Sequence, residues 1–365
     1  MPEPFNPKRL TVARRRRGFT KGKLAQEVCV SLRMVSAYEA GAKEPGPLNM
    51  ARIAEALRFP IEFFGGPDLD EPPLDASSFR ALTTMTARQR DQALGSGTLA
   101  LSLSDWIDEH FSLPEPTVPK MRGIDPETAA LAVRSEWGLG ERPIANVIHL
   151  LEAHGIRVFS LVEECREFDA FSFWRGELPY VFLNTVKSAE HSRMDASHEL
   201  GHLVLHWNEG ARGRNAEREA DAFGSAFLMP RDDLVASAPR NAKLGDILQA
   251  KRRWNVSAAA FIYRLHKVGM LSEWNYRSLF VEIGRKGYRT VEPEPTKPET
   301  SQVFAKVFRA LRDDHMSKSD LARQLSIPSD ELEKIVFGLV LTAVNGSGDA
   351  KHSGDAERRS QIRLI

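Results

Sequence analysis

The stretch His198-Glu199-Leu200-Gly201-His202 limits this 365-residue chain more than any other. Residues four apart in an α-helix share a face, so His198 and His202 can grip one ion, and neutral imidazoles suit Zn2+. Glu199 between them is placed to take a proton from a water beside that ion. The alternative is a helix carrying solvated His and Glu. Against it, Leu200, Leu203, Val204 and Leu205 make the helix largely buried, where free ionisable side chains are costly.

A catalytic zinc needs three protein ligands and one open position. The pattern H-E-x-x-H-x-x-G-x-x-H would supply the third nearby, but Leu205 and Asn208 stand in its Gly and His places. The next helical stretch, Asn215 to Phe223 with Asn215 as N-cap, offers another source. Glu217 and Asp221 lie four apart on one face, so Glu217 can ligate while Asp221 accepts the outer N–H of a ligating His. Glu219 is the rival ligand, about 200° round the helix from Glu217. His206, about 80° off the face of His198, reads as a residue packed behind the ligands.

"MDASHELGHLVLH" followed by "EREADAFGSAFLMP" resembles the ImmA/IrrE family of zinc metallopeptidases, as do "FDAFSFW", "YVFLN" and "KRRWNVSAAAFIYRLHKVGMLS" around them. The resemblance spans residues 120–290. It implies His198, His202 and Glu217 as zinc ligands, Glu199 as catalytic base, and helix-turn-helix repressors or antitoxins as substrates. Asp195 departs from the apolar or Thr residue expected there.

Net charge is +1, with 42% hydrophobic and 27% charged residues, as in ordinary soluble proteins. No apolar run is long enough to span a membrane and the N-terminus lacks a signal-peptide core, which together point to the cytoplasm. Cys29 and Cys165 make no disulfide framework. The near-neutral total hides an asymmetry: residues 1–66 carry 12 Lys/Arg against 6 Asp/Glu, residues 67–119 only 3 against 9. A basic module followed by an acidic one suggests an anionic partner for the first.

The basic module reads as a helical bundle. Asn6-Pro7 opens a helix through Arg14 to Arg17, Gly18 ends it and Thr20 caps a second. The turn Cys29-Val30-Ser31 leads to a third helix from Leu32 to about residue 40, and Leu48–Leu57 forms a fourth. This series resembles the XRE family of helix-turn-helix DNA-binding domains. The resemblance implies that the third helix lies in the major groove, with Ser31, Leu32, Arg33, Ser36 and Ala37 toward the bases. Arg33 is the strong reader, able to bond a guanine bidentately. Cys29 replaces the usual turn glycine. The alternative is a protein-interaction module with a solvated arginine run.

Residues 67–119 read as an acidic linker and connector helices, with Phe79, Leu82, Leu99, Leu103, Trp106, Ile107 and Phe111 as a buried stripe, either a connector or dimerisation helix or a layer packed against a neighbouring domain. From residue 120, helices at about 126–137 and 143–154 precede strands at 156–161, 170–174 and 180–183, expected to form a small antiparallel sheet. Its edge can align an extended peptide, although the sequence does not tell which strand is the edge. Tyr263 and Arg264 are either oxyanion stabilisers or packing residues. Residues 291–300 are a proline-rich linker, and 301–344 a small helical unit that hints at a second, degenerate helix-turn-helix and reads as a protein-docking or lid-like unit. Residues 345–365 have a disordered composition.

The expected architecture is multidomain and mainly α: an all-α helix-turn-helix bundle at 1–66, a central α+β zincin-like metallopeptidase, and a small C-terminal helical unit. The expected function is a DNA-binding regulator with a zinc endopeptidase domain that cleaves a repressor or antitoxin. Its partners would be double-stranded DNA, that protein substrate and, as a further candidate, a second copy of the chain, with no membrane. The competing reading is a non-proteolytic repressor or antitoxin whose zinc fold is a sensor or docking scaffold.

Overall fold

A computed structural model describes residues 4–73, 86–161, 170–207, 213–240 and 242–340. Phe79, Leu82, Cys165 and the tail 345–365 lie outside the described residues. Four helices open the chain: α1 (Pro7–Arg16), α2 (Lys21–Val28), α3 (Leu32–Glu39) and α4 (Pro47–Leu57). Asn6, Thr20 and Ser31 accept backbone N–H bonds at the starts of the first three, satisfying donors that a helix leaves orphaned. Leu10, Leu24, Val28, Val35 and Leu57 fill the bundle interior.

The arginine run is neither solvated nor free for an anionic partner. Arg14 pairs with Glu39, and Arg16 and Arg17 both pair with Glu331 of the C-terminal unit. Arg17 also donates to the carbonyls of Leu57 and Arg58. Arg15, the half-exposed member of the run, lies 3.9 Å from Glu71.

Between bundle and sheet runs α5 (Ala87–His110), a single helix started by a Thr86/Gln89 capping box. Leu99, Leu103, Trp106, Ile107 and Phe111 are buried as the stripe requires. The helix is no exposed connector. It packs on α1, and its Ser104 hydroxyl meets that of Tyr180 at 3.2 Å.

Helices α6 (Pro126–Glu136) and α7 (Val147–Ala153) lead to β1 (Arg157–Ser160), β2 (Ala170–Arg175) and β3 (Leu178–Leu183), in sheet order β1-β3-β2. The sheet is mixed, not antiparallel: β3 runs parallel to β1 and antiparallel to β2. Successive strands alternate in direction, so seating β3 between the other two makes β1 and β3 parallel. Side chains alternate across a strand. Phe171, Phe173, Tyr180 and Phe182 accordingly stack together, with Phe159 beside them. Ser172 and Trp174 instead bond to α8 (Ala189–Leu205) on the opposite side.

After α8 come α9 (Arg214–Leu228), α10 (Arg231–Ser237), α11 (Leu244–Ala250), α12 (Ala258–Lys267) and α13 (Glu273–Arg285). Gly213, not Asn215, precedes α9, because its φ of 99° turns the chain directly into the helix. Helices α14 (Gln302–Asp313), α15 (Lys318–Gln324) and α16 (Ser329–Val336) form the C-terminal unit. The start of α16, which would be the reading end of a second helix-turn-helix, is docked on Arg16 and Arg17 through the fully buried Glu331. This unit is a clamp within the chain. Glu152 of α7 accepts from Ser301 and the N–H groups of Gln302 and Val303, while Glu299 accepts from those of Val147 and Ile148, so α7 and α14 cap each other. The proline-rich 291–300 is thus tied down by its acids rather than free. No helix among the described residues is long and apolar enough to cross a membrane.

Candidate functional site

Helices α8 and α9 pack so closely that a Cβ on Gly201 would sit 3.1 Å from Phe223, and one on Gly224 3.0 Å from the backbone nitrogen of His198. That approach brings Glu217, in the first turn of α9, over the two histidines. His198 Nε2 and His202 Nε2 are 3.1 Å apart, and the Glu217 carboxylate lies 3.8 Å and 3.9 Å from them. All three offer ligand atoms within 4.8 Å of one another, a cluster able to hold a metal ion.

The outer nitrogens are occupied. His198 Nδ1 lies 2.9 Å from Asp221, the partner expected from the E-x-x-x-D spacing. His202 Nδ1 lies 2.9 Å from His206 Nδ1, His206 Nε2 lies 2.8 Å from Glu219, and Asn215 donates to Glu219. Glu219 thus points at His206 rather than at the cluster. The His202–His206 step follows the four-residue spacing of one helix, whereas the step to Glu219 runs between helices, where spacing gives no sign of it.

Glu199 is buried beside the cluster, and Ser172 of β2 donates to its carboxylate at 2.6 Å. Ser172 was missed in the sequence. Its only signal is a lone hydroxyl among Phe171, Phe173 and Trp174. Burial opposes charge on His198, but the bond to Asp221 and the nearby acids hold its pKa up at about 9. Burial, with the neighbouring histidines adding to it, pushes the His202 pKa well below its ordinary value. Asp195 lies on the same helix one turn earlier, its pKa pushed up by burial to about 7.

Arg264 is packing: it donates to Glu127 and the carbonyl of Met229. Tyr263 is exposed beneath Lys267.

On the bundle, Ser31, Leu32 and Arg33 are exposed, and Ser36 and Ala37 half-buried. Ser31 spends its side chain capping α3. Lys21 pairs with Glu39, and Lys23 covers Phe19. Arg33 has no ion pair among the described residues. Cys29 adopts φ 57°, a left-handed conformation costing a non-glycine residue on the order of 1 kcal/mol.

Residues 151–266 match the family model of the IrrE N-terminal-like domain, and residues 12–64 that of the helix-turn-helix. A comparison with curated proteins returned no match. The chain thus joins an XRE-type helix-turn-helix, a DNA-binding domain, to a metallopeptidase-like domain of the ImmA/IrrE family.

Proposed function

We propose that the protein is a cytoplasmic, DNA-binding regulator whose second domain is a zinc-dependent endopeptidase acting on a repressor or antitoxin. The observation that carries this is the convergence of His198, His202 and Glu217 beside a Glu199 oriented by Ser172. The donor set fits zinc: two imidazole Nε2 atoms and a carboxylate, each His held from behind at its other nitrogen. Zinc bound there supplies Lewis acidity toward a carbonyl oxygen. Glu199 takes a proton from the attacking water and returns it to the leaving amine nitrogen, with Ser172 steadying the carboxylate between the two transfers.

Among the described residues β2 has a strand partner on one side only. An extended substrate adds to that side by backbone pairing, which sets the scissile bond beside Glu199. On the DNA side, Arg33 reads a base and Ser31, Leu32, Ser36 and Ala37 line the contact.

The test is a proteome comparison of cells expressing wild type and Glu199→Gln, in which one protein should be lost only with the wild type. If both strains keep the same proteins while zinc is bound, the domain is a sensor or docking scaffold instead.

A further inference from the structure

A cleft of about 890 Å3 opens along the first two turns of α8 and reaches Asp195, one turn before His198. Its other wall carries Phe280 and Tyr288. Within it Lys187 Nζ lies 3.3 Å from His191 and 4.0 Å from Asp195 Oδ2, and His191 Nε2 lies 3.6 Å from Asp195 Oδ1. Two acceptors have no hydrogen-bond partner among the described residues: Asp195 Oδ2, and Oε2 of Glu190, a residue only 1% exposed. Native proteins rarely leave such atoms unpaired.

The charges in this cleft balance. Lys187 and Arg289 line it together with Glu190 and Asp195, while Glu292 is taken by Lys251 at 3.0 Å. A cationic guest meets Lys187, and an anionic one meets Asp195 and Glu190. Each meets a like charge as well as an opposite one. A wholly apolar guest leaves the two acceptors unpaired. A neutral group presenting N–H and C=O together satisfies both sides, and the 4.0 Å gap between Lys187 and Asp195 holds a donor and an acceptor in opposition.

We propose that this cleft is a specificity subsite that takes a carboxamide side chain, Gln or Asn, of the substrate. Its NH2 donates to Asp195, its carbonyl accepts from Lys187, and its stem lies against Met194 and Phe280. This rests on the peptidase reading and adds the class of side chain accepted beside the scissile bond. Asp195 is the residue that sets it.

A degenerate dodecapeptide library, equilibrated with zinc-loaded full-length Glu199→Gln protein, reads this without cleavage. Gln and Asn should be enriched about tenfold at one register among the bound peptides, the worth of one net hydrogen bond. Adding Asp195→Ala or Lys187→Ala should abolish the enrichment at unchanged zinc content. Acetyl-glutamine amide should displace the bound peptides and acetyl-lysine amide should not, a readout that needs no substitution in the cleft. Enrichment of Lys and Arg, of Asp and Glu, or of nothing overturns the proposal. A wild-type enzyme that cuts the library without preferring Gln or Asn overturns it while leaving the peptidase reading intact. Gln-selective binding without any Glu199-dependent cleavage does the reverse.

Discussion

Glu219→Ala should weaken zinc binding without abolishing the site. The carboxylate lies 2.8 Å from His206 Nε2, and His206 Nδ1 lies 2.9 Å from His202 Nδ1. With His202 Nε2 turned to a metal, its Nδ1–H donates to His206, whose Nε2–H donates to Glu219. Truncating Glu219 removes the acceptor that His206, only 5% exposed, has at Nε2, and so loosens the support behind His202. Loss of such a supporting partner costs about 10–100-fold in metal affinity, or about 1.4–2.7 kcal/mol. Glu217→Ala removes a ligand outright and should drop zinc well below one per chain. Competition against a chromogenic chelator at neutral pH, with zinc counted after dialysis, separates the two. If Glu219→Ala binds zinc as tightly as wild type, the relay is an accident of packing. If it loses zinc as completely as Glu217→Ala, the ligands have been assigned to the wrong carboxylate.

Glu331→Ala removes the buried carboxylate that pairs with both Arg16 and Arg17 and should destabilise the chain by about 3–5 kcal/mol in urea melts, while a loss below about 1 kcal/mol contradicts the clamp. Burial lifts the Glu152 carboxyl from 4.5 to about 7, against the bonds from Ser301, Val303 and Gln302. A pKa raised by folding stabilises fully below the unfolded value, so stability should fall as pH rises from about 4.5 through 7, by at most about 3 kcal/mol. Glu152→Gln should flatten that part of the profile, and an unchanged profile refutes the assignment. Arg33→Ala should cost about 1–3 kcal/mol of specific DNA affinity and relax one base position in gel shifts. Arg16→Ala should lower stability instead, and a loss of salt-dependent DNA binding without unfolding would contradict its role as an internal anchor.

The metal cluster was legible in the sequence because helix geometry is local. His198, Glu199 and His202 need only the 100° step of one helix, and Glu217 with Asp221 only that of the next. The caps at Asn6, Thr20 and Ser31 and the buried stripe from Leu99 to Phe111 were legible for the same reason. What the tertiary structure decided was pairing between elements. Ser172 reaches Glu199 from a strand 27 residues away, and Glu219 reaches His206 from the neighbouring helix. Glu331 meets Arg16 across 315 residues, which makes an internal anchor of an arginine that the sequence read as part of a solvated run. The parallel β1–β3 pair was hidden in the same way, since strand order is set by which faces find cover and not by any one strand. Periodicity fixes which way a side chain points along its own element, and only close packing determines what it meets there.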